Sequence, residues 1–212
     1  MPVMSKNQKK QRRTPDSIST KQKFRREGGI LRTGDALRLG IHPRTLYTMA
    51  ANGELERLGR GLFRLSDMPP LGNPDLVTVA LKIPSGVISL ISALAFHELT
   101  TQIPHEVYIA LPRGAEPPRM LRPPIRIFWF TGKSFTEGIQ VNKVDGVSLR
   151  IYNAEKTLAD CFKYRNKIGL ETALEALRRY LGKKGARVDL LVAYARICRV
   201  EKVMRPYLEA LM

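Results

Sequence analysis

The sequence predicts an α+β protein, with an N-terminal winged helix-turn-helix and a mixed α/β C-terminal domain that ends in a run of helices. Two short helical patterns separated by a glycine-containing turn precede a hairpin pattern, which is the order of a winged helix-turn-helix. A proline- and glycine-rich segment follows, and beyond it strand patterns give way to helical ones, as in α+β proteins. The predicted boundaries are a flexible basic arm at 1–15, a DNA-binding domain at 16–66, a linker at 67–74 and an α+β domain at 75–212.

The chain of 212 residues is strongly basic. Its 36 Lys and Arg outnumber its 19 Asp and Glu, and the formal net charge of +17 at pH 7 favours a polyanionic partner. The excess lies toward the two ends: net +7 in residues 1–27, +3 in 28–66, +1 in 67–150 and +6 in 151–212. Because 43% of the residues are hydrophobic, the chain can bury a core, which excludes general disorder.

Simple counts exclude several other classes of protein. The two cysteines, Cys161 and Cys198, provide neither a disulfide framework nor a metal site built on cysteine. The apolar run at 87–96 contains serines and is shorter than the roughly 20 residues of a membrane span. No apolar stretch follows the basic N-terminus, as a secretory signal requires. We therefore expect a cytoplasmic protein without a membrane partner.

The first 15 residues contain almost nothing apolar, so we expect a flexible basic arm outside the core. Such an arm can follow DNA phosphates or enter a minor groove, and each contact would make binding salt-dependent. A solvated, solubilising tail is the alternative. The arm residues assigned to DNA contact are Lys9, Lys10, Arg12 and Arg13.

Two helices are predicted next. Residues 16–26 form the first, which ends before Gly28 and Gly29, and a short extended piece follows. We expect Thr33 to cap the second helix and Gly40 to end it in a left-handed conformation. Its apolar residues at helical spacing are Ala36, Leu37 and Leu39.

A third helix at 44–51 is predicted to be the recognition helix. Pro43 precedes it at the first-turn position, where a missing N–H is tolerated, and Asn52-Gly53 ends it. In a helix-turn-helix the second helix of the pair enters the major groove. Leu46 and either Met49 or Ala50 are expected to face inward. The residues expected to meet base edges and phosphates are Arg44, Thr45, Tyr47 and Thr48.

A small hairpin, the wing, is predicted after Gly53. Residues 54–58 and 62–65 read as strands around the turn Gly59-Arg60-Gly61. Arg60 at the tip is expected to contact a minor groove or a phosphate, with Arg57 and Arg64 beside it. The candidate core residues of the wing are Leu55, Leu58, Leu62 and Phe63.

The C-terminal domain is predicted to begin with two helices and a mixed or antiparallel sheet. Helical patterns cover 74–81 and 92–99, the second capped by Ser92, and 86–90 is a short apolar run. Asp145-Gly146 is a strong hairpin signal. The predicted strands are 106–111, 125–130, 139–143 and 147–152.

A run of helices is predicted to end the chain. Asn153 caps the first, which carries Leu158, Cys161 and Phe162. Ala173, Leu174 and Leu177 are expected to face inward from the second, at 170–181. Helices at 188–198 and 207–211 follow.

No pattern predicts a catalytic site, a metal or a cofactor. His97-Glu98 lacks the second histidine of a zinc-protease helix, because Thr101 stands where that ligand would be. Glu155 and Asp160, with neighbouring lysines, suggest a nuclease only superficially, since their spacing on one helix is typical of a solvated or salt-bridged face. A second basic patch is expected on the late helices, where it either extends the DNA footprint, binds another acidic partner or is simply solvated. Its residues are Arg178, Arg179, Lys183, Lys184 and Arg187.

The chain resembles the AbiEi-type antitoxins, which are transcriptional regulators of type IV toxin–antitoxin systems. The stretch 29–65 resembles their winged helix, and three further blocks extend the likeness: Ser92-Ala-Leu-Ala-Phe-His97, Ile103-Pro-His-Glu-Val-Tyr-Ile-Ala-Leu-Pro-Arg113 and Glu155-Lys-Thr-Leu-Ala-Asp-Cys-Phe-Lys-Tyr-Arg165. The resemblance implies a repressor that binds inverted repeats upstream of its own operon. It also implies a C-terminal domain that counters a nucleotidyltransferase-like toxin without requiring a stable complex. The basic arm lies outside the resemblance.

Our hypothesis at this point is a sequence-specific, DNA-binding autorepressor that is also an antitoxin and not an enzyme. Double-stranded DNA with inverted repeats is the expected partner. One alternative is a protein-interaction module that neutralises a toxin by direct binding and has no specific DNA role. A metal-dependent nuclease that uses Glu155 and Asp160 is the other.

Overall fold

The structure, a computed structural model, describes residues 15–120 and 122–212. The chain divides into two compact units, Met1–Leu71 and Gly72–Met212. In the described residues no helix is both long and apolar enough to cross a membrane. The predicted basic arm falls outside the described residues except for Pro15, which begins the first helix.

The first unit is a winged helix-turn-helix, as predicted. It has three helices, α1 (Pro15–Arg26), α2 (Thr33–Arg38) and α3 (Pro43–Ala51). Three short strands, β1 (Ile30–Arg32), β2 (Leu55–Gly59) and β3 (Leu62–Leu65), form an antiparallel sheet in the order β1-β3-β2. The wing is the hairpin of β2 and β3.

The core of this unit joins all three helices to the sheet. Phe24 of α1, Ala36 of α2, Leu46 of α3 and Phe63 of β3 are each completely buried and belong to one cluster. Of the apolar residues of α2, Ala36 is buried and Leu37 is 50% exposed, so the short helix turns mainly Ala36 to the core.

Thr33 does not cap α2, contrary to the prediction. It is the first residue of the helix, and the cap position is occupied by Arg32, whose side chain makes no capping bond. The hydroxyl of Thr33 instead donates to the carbonyl of Gly61 in the wing. This side chain therefore connects α2 to the hairpin turn and does not satisfy the helix end.

The second unit contains a five-stranded mixed sheet. Its strands are β4 (Val87–Ile88), β5 (Val107–Pro112), β6 (Ile125–Phe130), β7 (Ile139–Val144) and β8 (Val147–Tyr152), in the order β6-β5-β4-β8-β7. Parallel pairs join β5 to β6 and β4 to β8, and the other two pairs are antiparallel. Asp145 and Gly146 form the β7–β8 turn, as predicted, and both have positive φ.

Helices surround this sheet and then continue to the C-terminus. They are α4 (Pro74–Lys82), α5 (Leu90–Phe96), α6 (Lys133–Thr136), α7 (Ala154–Lys163), α8 (Arg165–Ile168), α9 (Leu170–Leu181), α10 (Val188–Ile197) and α11 (Glu201–Leu211). Helix α7 packs against α5, α9 and α10, so it lies at the centre of the helical layer. Asn153 caps it, as predicted, by accepting a hydrogen bond from the N–H of Lys156.

Two helix starts differ from the predictions. Ser92 lies inside α5, which begins at Leu90, and its buried hydroxyl accepts from the N–H of Tyr108. The last helix begins at Glu201 and not at Tyr207. This helix contains Pro206. Because proline usually interrupts a helix, the predicted start lay after it.

Candidate nucleic-acid interface

Helix α3, the predicted recognition helix, follows a defined turn. Gly40 has φ +72°, a left-handed conformation that favours glycine, and it ends α2. The N–H of Ile41 then donates to the carbonyl of Ala36, and Ile41 is buried. His42 caps α3, because its Nδ1 accepts from the N–H of Arg44 at 3.1 Å. The direction of α3 is therefore fixed at its N-terminus, the end that approaches bases in helix-turn-helix proteins.

The outer face of α3 carries the predicted contact residues. Arg44, Tyr47 and Thr48 are exposed, at the i, i+3 and i+4 spacing of one helix face, and Thr45 is half-buried. The opposite face is buried through Leu46 and Met49, as predicted. Helix α3 therefore has one apolar face in the core and one polar, cationic face open to a partner.

The wing presents Arg60 at its tip. Arg60 and Gly61 form the turn between β2 and β3, and Gly61 has φ +69°. The N–H of Thr33 donates to the carbonyl of Gly61 at 2.9 Å, which ties the tip to the start of α2. Since Arg60 is exposed on a turn that is anchored in this way, its charge keeps a defined place relative to the recognition helix.

An aromatic contact connects α3 to the wing. The Tyr47 ring meets the Phe63 ring edge to face, with centroids 5.5 Å apart and planes at 88°. The guanidinium carbon of Arg57 lies 5.6 Å from the Tyr47 centroid and 6.0 Å from the Phe63 centroid. The Arg57 guanidinium therefore lies against two aromatic rings where α3 meets the wing.

Arg64 has a different place from the other predicted contact residues. It is only 6% exposed, although the sequence suggested a free cation beside the wing tip. Its guanidinium pairs with Glu56 at 3.4 Å and donates to the carbonyl of Pro69. It therefore anchors the segment after β3 to the sheet, and we leave it out of the interface.

The second basic patch is exposed but partly neutralised. Arg179 bonds to Glu175 at 3.0 Å, Lys183 donates to the carbonyl of His97 at 2.7 Å, and Arg187 pairs with Asp189 at 3.5 Å. All five members of the patch are exposed. By contrast, Arg44, Arg57 and Arg60 form no ion pair with any residue that the structure describes.

The two carboxylates considered for a nuclease, Glu155 and Asp160, already bind other groups of the protein. Asp160 is completely buried and pairs with buried Lys156, its Nζ 2.5 Å from Oδ2, while Glu155 accepts a hydrogen bond from the Tyr180 hydroxyl at 2.7 Å. Of the two predicted alternatives, a solvated or a salt-bridged face, Asp160 follows the second, but its salt bridge with Lys156 lies in the interior and not on a face. No group of three His, Cys, Asp or Glu suited to a metal occurs among the described residues.

His97 makes a hydrogen bond that connects two elements of the fold. Its Nε2 lies 2.7 Å from the carbonyl oxygen of Tyr152, and burial lowers the pKa of the imidazole below its usual 6.5. The neutral ring can donate this bond, so His97 connects the end of α5 to the end of β8.

Sequence reasoning did not identify His42 as part of the interface. Its position directly before Pro43 was the available signal, because a residue before a first-turn proline is a candidate helix cap. Its exposed ring at the N-terminus of α3 places a further polar group on the proposed DNA side.

Two comparisons with known proteins bear on this surface. Residues 21–66 match the family described as "Transcriptional regulator, AbiEi antitoxin". The chain also resembles the crystal structure of the RV2827C protein from Mycobacterium tuberculosis, with a TM-score of 0.56 and 11% sequence identity over 93% of this chain and 82% of that chain. At that identity the likeness shows a shared fold. No curated protein matches the chain.

Proposed function

We propose that this chain, whose residues 21–66 match the AbiEi-type regulator family, is a sequence-specific DNA-binding repressor of its own operon that works in the cytoplasm. Its partner is double-stranded DNA with inverted repeats. The single observation that carries the proposal is that Arg44 on α3, Arg57 on β2 and Arg60 at the wing tip are all exposed and form no ion pair with a described residue. In this arrangement α3 enters the major groove and Arg60 reaches an adjacent minor groove or phosphate.

Charge and geometry support this assignment together. Cations without a protein partner are free to neutralise phosphates, and each such contact releases counterions. Arg44 and Thr48 stand on the exposed face of α3, where side chains can reach base edges. Arg60 lies outside that helix and is held by the anchored turn. Two contact regions at a fixed separation favour one register on DNA over others.

We further propose that the protein acts as an antitoxin against a nucleotidyltransferase-like toxin in a type IV system. This part rests on the family of residues 21–66 and on the Glu155–Arg165 likeness, and it does not require a stable complex between the two proteins. The C-terminal unit would carry this activity. Co-purification of a stoichiometric complex with the product of the neighbouring gene would favour direct neutralisation instead.

DNA binding is tested with the full chain and a duplex that spans the region directly upstream of its own gene. We expect the double variant Arg44→Ala/Arg60→Ala to lose at least about tenfold in affinity, because it removes one base-edge contact and one wing contact. The dependence of affinity on salt should also become less steep. A gel-shift titration at several salt concentrations measures both quantities.

The matched control is Arg196→Ala/Arg205→Ala. It removes the same charge from two arginines that are 64% and 62% exposed and that both pair with Glu201. We expect a much smaller loss from this control. Equal affinities of the wild-type protein and the Arg44→Ala/Arg60→Ala variant would refute the assignment of the interface.

A further inference from the structure

Arg57 and Arg60 stand in different surroundings, although both are exposed arginines of the wing. Arg57 faces Phe63 across the β2–β3 pair, and its guanidinium lies against the Tyr47 and Phe63 rings. Arg60 is on the turn, where it contacts no aromatic ring among the described residues. The Arg57 guanidinium therefore has aromatic partners on α3 and β3, whereas no described ring contacts the Arg60 guanidinium.

We infer that Arg57 is a positioning residue, which holds the Tyr47 ring so that its hydroxyl discriminates the operator from other DNA. This inference rests on the proposed function. Tyr47 is 49% exposed, so without neighbouring contacts its ring would be free to change rotamer. The completely buried Phe63 provides a fixed wall on one side, and Arg57 contributes a second contact from β2.

The contact between Arg57 and the Tyr47 ring affects specific and non-specific DNA binding differently. Specific binding needs the Tyr47 hydroxyl at one place relative to a base edge, so it depends on the ring orientation. Non-specific binding depends mainly on phosphate neutralisation, to which any cation at position 57 contributes equally. The inference therefore predicts that discrimination between the operator and other DNA depends on the stacking of the Arg57 guanidinium on the Tyr47 ring. A positive charge alone at position 57 is not sufficient for this discrimination.

The test compares Arg57→Lys with the control Arg196→Lys in the full chain, because Arg196 is an exposed arginine outside the proposed interface. Lysine keeps the charge but lacks the planar group that stacks on a ring. Affinities are measured for the upstream duplex and for a shuffled duplex of the same length and base composition. We expect Arg57→Lys to lower the ratio of the two affinities roughly two- to five-fold, the size of an exposed cation–π contact. The affinity for the shuffled duplex should stay the same, which also shows that the variant is folded.

A double-mutant cycle identifies the residue through which Arg57 acts. Tyr47→Phe keeps the ring and removes the hydroxyl, so it should lower the same ratio by itself. In that background Arg57→Lys should change the ratio less than about twofold, because the group that it positions is already gone. Arg196→Lys should change the ratio equally little in both backgrounds.

Each outcome has a separate meaning. If Arg57→Lys leaves the ratio unchanged while the wild-type protein prefers the upstream duplex, the inference is overturned and the proposed function stands. Full additivity of Arg57→Lys and Tyr47→Phe also overturns it, since Arg57 would then act independently. If the wild-type protein binds both duplexes equally, the proposed function fails, and the inference fails with it.

Discussion

Two sets of charged residues, one in each unit of this chain, have opposite surroundings. In the first unit Arg44, Arg57 and Arg60 are exposed and form no ion pair among the described residues. In the second unit Lys156 and Asp160 are completely buried and pair with each other. A charge that stays in water is available to a partner, whereas a charge in the interior must be compensated by the protein itself. The comparison shows that the surroundings of a charged residue, more than its type, decide between function and stability.

The buried pair has several compensating contacts. The ammonium of Lys156 lies 4.2 Å from the Tyr152 ring centroid and 4.9 Å from that of Phe130. The thiol of Cys198 donates to Asp160 Oδ1 at 3.2 Å. Burial nevertheless raises the pKa of the Asp160 carboxyl, and the Lys156 ammonium offsets that rise only in part. The pair therefore links β6, β8, α7 and the end of α10 at a considerable cost in desolvation.

The largest expected effect comes from breaking this pair. Lys156→Ala or Asp160→Ala should lower the free energy of unfolding of the second unit by about 3–5 kcal/mol, because each leaves one uncompensated charge in the interior. The single tryptophan, Trp129 on β6, reports on this unit. Urea unfolding followed by its fluorescence measures the change.

Two controls make this result specific. Lys156→Met/Asp160→Leu removes both charges while keeping apolar volume, and it should cost far less than either single change. Arg60→Ala, an exposed residue of the wing, should change the stability of the protein by no more than about 0.5 kcal/mol. A double variant as unstable as the single ones would mean that packing, and not charge, dominates at this position.

The surroundings of these charged residues explain which parts of the structure the sequence could predict and which it could not. The winged helix was predictable because its signals are local: Gly40 and Gly53 end helices, and Pro43 starts one. Lys156 and Asp160 lie four residues apart on a helix, a spacing that is typical of solvated salt bridges. Only tertiary packing, which brings Phe130 and Cys198 from distant parts of the chain, places them inside.

Arg64 was misjudged for a similar reason. It lies in a strand next to an arginine-tipped turn, which indicated an exposed cation. The segment after the strand returns to cover it, and the Pro69 carbonyl accepts from its guanidinium. No residue near position 64 encodes that return, so burial of Arg64 could be known only from the structure.

A second prediction concerns the reactivity of the interior next to the buried pair. Cys161 is completely buried and Cys198 nearly so, and burial raises the pKa of the Cys198 thiol to about 12. Because the thiolate is the reactive form, both cysteines should react with iodoacetamide at pH 8 at least about a hundredfold more slowly in the native protein than in urea. Mass spectrometry of the modified peptides measures each site separately.

The variants of the buried pair sharpen this prediction. Lys156→Ala should increase the rate of Cys198 modification under native conditions, since it weakens the contact between α7 and α10 and increases local opening. Arg60→Ala should leave the rate as it is. Rapid modification of Cys198 in the wild-type protein would contradict the burial on which the comparison of the two units depends.

The smallest expected effect concerns the basic patch of the second unit, which we interpret as solvated surface. Only Arg178 and Arg179 lie on a helix, α9; Lys183, Lys184 and Arg187 lie between α9 and α10, and not on the late helices as predicted. Three of the five cations contact an acid or a carbonyl, and only Arg178 and Lys184 lack such a partner among the described residues. If the patch is solvated surface, the double variant Arg178→Ala/Lys184→Ala, which removes these two cations, should change the affinity for the upstream duplex less than about twofold, against at least tenfold for Arg44→Ala/Arg60→Ala.

The salt dependence separates a solvated patch from one that extends the DNA footprint. If the patch extended the DNA footprint, losing two phosphate contacts would lower the slope of log K against log salt by about two. A solvated patch leaves that slope close to the wild-type value, because Arg178 and Lys184 then contact no phosphate and their removal does not change the number of counterions released from DNA.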